Sequence, residues 1–168
     1  QRPEHVYSYD IRMAVSRDAG RTWSAPLTPH DDGTPTEHGF VTLLAHEAGF
    51  LTIWLDGRHT VGGHDHEAGG AMTVRSVEVD PTGSLLGPGV ELDARVCDCC
   101  QTDAALSAEG PVVVYRDRSP TETRDVAVVR LTASGWSEPR PVHADGWQMP
   151  ACPVNGPAID ARGNEVVV

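Results

Sequence analysis

Residues 16–23 read Ser-Arg-Asp-Ala-Gly-Arg-Thr-Trp, and this octapeptide is the most informative part of the chain. Aspartate and serine side chains accept hydrogen bonds from backbone N–H groups a few residues further on, and glycine takes the positive φ that a tight turn needs. We expect the tryptophan to begin the next extended segment with its ring packed inward. The octapeptide therefore predicts a self-capped hairpin turn built by Ser16, Asp18, Gly20, Thr22 and Trp23.

A degenerate internal repeat extends over the rest of the chain. At an offset of 61 residues, the segment from Leu43 to Asp56 aligns with the segment from Ala104 to Asp117. Each contains a strand pattern, a glycine turn and a second strand that ends in aromatic-x-Asp. A third copy begins at Pro157. Self-similarity at a fixed period is typical of repeat architectures, so we expect several copies of one antiparallel unit.

Further strands are predicted at 10–16, 72–79 and 125–132, because these runs are short, rich in β-branched residues and bounded by glycine or proline. Each run leads to a glycine turn. The first and third turns are both followed by Trp-Ser-x-Pro, beginning at Trp23 and at Trp136. No segment shows a sustained helical period. The predicted fold class is therefore all-β.

Short turns and long polar connections alternate along the chain, so that they fall at opposite ends of the predicted strands. The long connections contain six of the eight histidines and all four cysteines; they span residues 30–39, 57–70, 94–103, 117–124 and 143–156. Loops positioned by a rigid scaffold carry much of the binding and catalytic chemistry of proteins. We therefore expect the functional site at the strand ends opposite the octapeptide.

The octapeptide matches the S-x-D-x-G-x-T-W Asp-box motif, and the chain resembles the sialidase superfamily of Asp-box (bacterial neuraminidase repeat) proteins. The segments W-L-D-G-R at 54–58, V-C-D-C-C-Q-T at 96–102 and C-P-V-N-G-P at 152–157 look like a group of exported bacterial sialidase-like proteins. The resemblance implies an incomplete β-propeller of about three blade-equivalents, each a four-stranded antiparallel sheet. The blade pieces of this single domain fall at about 1–29, 39–93, 102–142 and 155–168.

The same resemblance implies that the protein binds or hydrolyses a glycan, as an exo-glycosidase does. Sialidases hold the substrate carboxylate with arginines, and use an aspartate as acid/base and a tyrosine–glutamate pair as nucleophile. The candidates here are Asp56 and Asp117 for catalysis, and Arg58, Arg116, Arg118 and Trp147 for substrate binding. No tyrosine can be assigned as nucleophile. Two alternatives stay open: a structural role in which the arginines neutralise the aspartates, and a non-catalytic recognition or assembly propeller.

The cysteines and histidines of the long connections allow two interpretations. We expect two disulfides and no cofactor, with Cys152 joined to one of the other three cysteines, because crowded cysteines are typical of exported proteins. The alternative is a zinc or copper site, since thiolate and imidazole are ligands of both ions. Its ligands would come from His59, His64, His66, Cys97, Cys99, Cys100 and Cys152.

The composition argues against two classes of partner. The net charge is −11 and the chain has no lysine, whereas a nucleic-acid partner needs a basic stripe that releases counterions. No apolar run approaches the roughly 20 residues of a membrane span. We therefore expect a periplasmic or secreted protein whose signal peptide lies outside this sequence, with a glycan or other small molecule as its ligand.

Overall fold

The computed structural model describes residues 7–47, 49–61 and 70–168. These residues contain β-strands and no helix, so the all-β prediction is confirmed. The strands are β1 (His38–His46), β2 (Gly49–Asp56), β3 (Thr73–Val79), β4 (Val90–Asp93), β5 (Asp103–Ser107), β6 (Gly110–Arg116), β7 (Val126–Thr132), β8 (Gly135–Trp136), β9 (Arg140–Pro141), β10 (Asp160–Arg162) and β11 (Glu165–Val167). Among the described residues there is accordingly no helix with the length and apolarity that a membrane crossing requires.

The first sheet is an antiparallel meander in which β1, β2, β3 and β4 pair in chain order. Strand β2 lies inside this sheet, and its residues from Leu51 to Asp56 are all buried. A strand that is covered on both faces shows a continuous apolar run rather than alternation, which is what Leu-Thr-Ile-Trp-Leu presents.

The second sheet repeats this meander with β5, β6 and β7, and both β8 and β9 pair with β7. The β1–β2 and β5–β6 hairpins have the same register at the offset of 61 residues. Leu44 lies opposite Leu51 in the first hairpin, and Ala105 lies opposite Val112 in the second. A shorter hairpin, β10–β11, follows. The internal repeat of the sequence is therefore a repeat of structure.

The segment 10–16, predicted as a strand, is not one. Its only antiparallel bridge among the described residues joins Met13 to Leu27 through two backbone hydrogen bonds of 2.9 Å, and one further backbone bond runs from the Ser24 N–H to the Val15 carbonyl. The ladder stops there because the Val15 N–H donates to the Ser24 hydroxyl, at 3.0 Å, instead of to a backbone carbonyl. The prediction of a regular strand was wrong because this side-chain bond replaces a ladder bond.

The two Trp-Ser-x-Pro segments, at 23–26 and 136–139, make equivalent backbone contacts. Ser24 donates its N–H to the Val15 carbonyl and accepts the Val15 N–H on its hydroxyl. Ser137 does the same with both backbone groups of Arg130. In both segments the serine hydroxyl therefore accepts the N–H that a backbone carbonyl would accept in a regular β-ladder.

The core consists of two layers on either side of the first sheet. One cluster joins the two sheets and includes Ile53 from β2, Tyr115 from β6 and Val129 from β7. The other joins Trp54 of β2 to Met13 and Leu27 of the octapeptide hairpin. Successive residues of β2 therefore face opposite layers, as the two-residue period of a strand requires. Full burial of one such side chain stabilises the fold by about 2 kcal/mol.

The turns and the long connections lie at opposite ends of the sheets. The turn after β3 lies next to the octapeptide, as a hydrogen bond of 3.3 Å from the Arg17 side chain to the Pro81 carbonyl shows. Asp56 ends β2 and Asp117 follows β6, both at the other end of their strands. This topology separates the octapeptide from the candidate catalytic residues.

Candidate functional site

The octapeptide forms the turn that its sequence predicts. Asp18 Oδ1 accepts hydrogen bonds from the backbone N–H groups of Arg21 at 3.0 Å and Thr22 at 2.8 Å, and Oδ2 accepts one from the Thr22 hydroxyl at 2.7 Å. Ser16 Oγ accepts the N–H of Gly20, whose φ is 82°. The bonds that Asp18 accepts from Thr22 and Arg21, with a further one from the Ser16 hydroxyl at 2.8 Å, lower its pKa to about 2, the Thr22 hydroxyl being the largest cause.

The expectation that Trp23 packs inward is wrong. Its side chain is 64% exposed, and its ring lies against Gly20 of the same turn. The core cluster beside this hairpin takes Ile11, Met13 and Leu27, which lie further from the turn. The octapeptide thus projects past the edge of the core, so no buried surface is available to its indole.

Asp56, the first candidate catalytic residue, is fully buried and fully hydrogen-bonded. Its carboxylate accepts bonds from Trp54 Nε1 at 2.8 Å, from the Arg58 backbone N–H at 3.0 Å, and from the Arg58 guanidinium at 2.7 and 2.8 Å. Burial raises the pKa of Asp56, but the bonds from Arg58 and Trp54 outweigh that effect and the pKa is lowered. An ionised carboxylate held this way orients Arg58 and is poorly suited to donate a proton.

A stacked histidine pair, which sequence patterns did not single out, lies beside Asp56. The rings of His30 and His38 are 3.9 Å apart between centroids and parallel within 1°. Asp32 Oδ1 lies 3.1 Å from His30 Nδ1 and 3.1 Å from His38 Nε2. The available sequence signal was the density of histidine and aspartate between residues 30 and 38.

A tyrosine–glutamate pair adjoins this cluster. The Tyr9 hydroxyl donates a hydrogen bond to Glu37 Oε1, and the Tyr9 carbonyl accepts the His38 N–H at 3.1 Å. Burial and the hydrogen bond to Glu37 raise the pKa of the Tyr9 phenol. The partners are 28 residues apart, so their sequence positions did not indicate the pair.

Asp117, the second candidate catalytic residue, occupies a different environment from Asp56. Its carboxylate accepts one hydrogen bond, from the Arg118 N–H at 2.6 Å. Burial raises its pKa despite that bond, and the nearby carboxylates of Asp93 and Asp125 raise it further. Tyr115 is fully buried and donates to Asp93 Oδ2 at 2.7 Å, as befits a strand residue. Of the two candidate aspartates, Asp117 is the one that its surroundings favour in the protonated form.

Arg118, a candidate substrate ligand, is buried among carboxylates. It pairs with Asp98 at 3.2 Å and with Glu122 at 2.8 Å. Glu122 also binds Arg124, whose Nη1 lies 3.3 Å from Cys97 Sγ. The two arginines lower the pKa of Glu122 to about 2, the Arg118 hydrogen bond being the largest cause. This network ties the connection after β6 to the cysteine segment.

Arg116 and Trp147, two further candidates for substrate binding, are in contact. The Arg116 guanidinium carbon lies 4.8 Å from the centroid of the Trp147 ring, which is 36% exposed. The backbone carbonyls of Asn155 and Arg124 accept hydrogen bonds from Arg116, each at 2.6 Å. Asp125 accepts the backbone N–H of Trp147 at 2.9 Å and so holds the backbone that carries this indole.

All four cysteines are paired, as Cys97–Cys100 and Cys99–Cys152. The prediction of two disulfides, one of them linking Cys152 to the other segment, is confirmed. In this oxidised state no thiolate is left for the metal alternative. His59 lies beside Glu91, with Nε2 and Oε2 3.8 Å apart. The other two histidines of that alternative, His64 and His66, lie outside the described residues.

A groove of about 320 Å³ lies at the turn end of the two sheets, away from these candidates. Its lining includes His46, Glu78, Glu109 and Leu131. The grouping of charged and aromatic side chains, rather than this groove, identifies the long connections as the candidate site.

Comparison of the chain with protein-family models, with curated proteins and with solved structures found no match.

Proposed function

We propose that this chain is part of a sialidase-type β-propeller that binds an acidic glycan at the end of the sheets formed by the long connections. Four features support the propeller. The two sheets repeat one antiparallel meander, their first strands β1 and β5 lie side by side, and β10 lies beside β5. The octapeptide turn has the hydrogen bonds that an Asp box needs.

The observation that carries the proposal is the state of Arg116. Arg58 and Arg118 are both engaged by carboxylates, whereas Arg116 forms no ion pair within the part of the chain that the structure describes. Its Nη2 makes no hydrogen bond there. A half-buried guanidinium that contacts no carboxylate directly can bind an anionic group through its Nη1–Nη2 edge, since the Nε–H is taken by the Asn155 carbonyl and Asp125 and Asp145 act on it only at longer range.

Trp147 supplies the second element of a sugar site. An exposed indole offers a flat apolar surface and a polar edge, on which a pyranose ring can stack. The carboxylate of the sugar would then bind Arg116 while its ring covers Trp147. Within this site Arg116 is the group that would favour an acidic sugar over a neutral one, because it binds the carboxylate.

Binding of N-acetylneuraminic acid, measured by calorimetry and by tryptophan fluorescence, tests the proposal, with N-acetylglucosamine as the neutral comparison. We expect Arg116→Gln to weaken binding of the acidic sugar about tenfold or more, because a charge-assisted hydrogen bond contributes about 1.5–3 kcal/mol. Trp147→Ala should also weaken it. The matched control is Trp23→Ala, since Trp23 is exposed at the opposite end. Equal binding by all three variants and the wild type would reject the site.

Hydrolysis is a second candidate function, favoured by the Tyr9–Glu37 pair and by the raised pKa of Asp117. The pair has the composition of the nucleophile that the resemblance implies, and Asp117 is the candidate proton donor. Turnover of a fluorogenic N-acetylneuraminide tests it, with Tyr9→Phe and Asp117→Asn as the informative variants. We expect each to reduce kcat at least a hundredfold if hydrolysis occurs. Absence of turnover in the wild-type chain would leave binding as the function.

A further inference from the structure

His38 is a buried histidine whose two ring nitrogens both face oxygen acceptors. Its side chain is completely enclosed. Nδ1 lies 3.2 Å from the Thr36 carbonyl, which can only accept a hydrogen bond, so Nδ1 carries a proton. In the neutral ring Nε2 then presents a lone pair. This lone pair lies 3.1 Å from Asp32 Oδ1 and 3.8 Å from Asp56 Oδ1, and Nε2 makes no hydrogen bond.

We propose that His38 Nε2, Asp32 Oδ1 and Asp56 Oδ1 bind a divalent transition-metal ion, with zinc as the representative ion. The three ligand atoms lie within 4.8 Å of one another. Zinc binds imidazole nitrogen and carboxylate oxygen at about 2.0–2.2 Å, which places tetrahedral ligands about 3.3 Å apart. The 3.1 Å separation of Nε2 and Asp32 Oδ1 therefore suits two ligands of one ion. Mixed imidazole and carboxylate ligands favour zinc and its neighbours over calcium or magnesium.

The groups around the three ligands hold them in position. Thr34 donates its N–H and its hydroxyl to the other oxygen of Asp32, and His30 Nδ1 contacts the same oxygen that His38 does. Trp54 and Arg58 hold Asp56. Partners that orient metal ligands in this way contribute substantially to metal affinity.

The local charge also favours a divalent cation. Three carboxylates, of Asp10, Asp32 and Asp56, surround the histidine pair, and Arg58 is the one cation among the described groups that contact them. Asp56 Oδ1 already accepts two hydrogen bonds from Arg58, through its backbone N–H and its Nε, so the ion would bind Oδ1 by displacing the Nε bond. The ligands belong to the first sheet and the connection before it, whereas Arg116 and Trp147 belong to the second, so the metal site is independent of the proposed glycan site.

The zinc content of the purified protein tests the proposal directly. A His64→Gln/His66→Gln background removes two of the three histidines named as alternative ligands. After dialysis against a chelator and reloading, we expect one tightly held zinc per chain, a visible d–d spectrum on cobalt substitution, and a higher melting temperature with zinc than with chelator. His38→Gln in this background should lose the bound ion and the cobalt spectrum.

The matched control is His143→Gln, because His143 also lies beside a carboxylate, with Nδ1 2.9 Å from Asp145 Oδ1, but on the exposed surface. It should keep full metal content. If His38→Gln fails to fold, nitrogen NMR of the His38 imidazole in the wild-type protein is the deciding measurement. It should show metal at Nε2 and a proton on Nδ1. A zinc-saturated sample in which both nitrogens of His38 carry protons, or zinc binding that His38→Gln leaves unchanged, would overturn the proposal.

Discussion

Asp18 organises the octapeptide turn, since its carboxylate accepts hydrogen bonds from two backbone N–H groups and from the hydroxyls of Ser16 and Thr22. Its pKa falls from 3.8 to about 2 in the folded chain. A carboxyl with a lowered pKa stabilises the folded state above its unfolded pKa, and that contribution disappears as the pH falls through the folded value. The stabilisation is therefore fully present above about pH 5 and is lost progressively as the pH falls towards about pH 1.

We predict that Asp18→Ala lowers the melting temperature at pH 7, and that the difference from the wild type shrinks between pH 4 and pH 2. Asp18→Asn should lie between the two, because its Oδ1 still accepts the backbone bonds. Asp31→Ala is the control, since Asp31 is exposed and its carboxylate makes no hydrogen bond among the described residues. Thermal melts across this pH range check the prediction. A pH-independent difference would show that the charge of Asp18 is irrelevant to the turn.

Two glycines at equivalent positions set the approach of the second and third strands in each sheet. A Cβ on Gly49 would lie 2.2 Å from the Val79 carbonyl oxygen, and a Cβ on Gly110 would lie 2.7 Å from that of Leu131. Gly110 additionally has a φ of 118°. Gly49 begins β2 beside the end of β3, and Gly110 begins β6 beside the end of β7. Both copies of the repeat therefore require glycine at this position, because a side chain would collide with the neighbouring strand.

At the level of this element, we predict that Gly110→Ala lowers the free energy of unfolding by about 1–3 kcal/mol, because it combines a backbone clash with an unfavourable φ. Two matched variants separate these causes. Gly49→Ala introduces the clash, and Gly135→Ala introduces a positive φ of 105° with no atom within 4 Å of the new Cβ. Urea unfolding gives the values. A Gly135→Ala effect as large as that of Gly110→Ala would mean that the close approach to Leu131 carries no cost.

For the whole molecule, the Cys99–Cys152 disulfide is the longest covalent link, since its cysteines are 53 positions apart. Closing a loop of that length stabilises the folded state by about 4 kcal/mol in the chain-entropy account. The Cys97–Cys100 disulfide has a sequence separation of only 3 and constrains the unfolded chain much less. The long link joins the segment before β5 to the segment before β10.

We predict that Cys99→Ser/Cys152→Ser lowers the free energy of unfolding by about 4 kcal/mol, and that Cys97→Ser/Cys100→Ser lowers it by about half as much. Thiol titration of the unfolded, unreduced wild type should find no reactive thiol. Urea unfolding of both double variants checks the difference. Equal losses would show that the loop-length effect is not what the long disulfide contributes.

Local sequence was sufficient for the features whose partners are close in the chain. The octapeptide turn was predictable because Asp18 bonds to residues three and four positions later. The all-β class and the hairpin repeat were predictable because strand periodicity and glycine turns are local signals. The inward Trp23 and the strand at 10–16 were wrong, since both depend on what lies next to the turn rather than on the turn itself.

What the sequence by itself determined is thus the turn, the strand class, the repeat and the clustering of cysteines and histidines in the long connections. Only the tertiary structure decided which side chains contact each other: Tyr9 with Glu37, His30 with His38, and Cys99 with Cys152. It also decided that Arg58 and Arg118 form ion pairs with carboxylates while Arg116, within the described residues, forms none. The physical reason is that each pairing depends on how separate segments of the folded chain come together, which spacing along the chain does not specify.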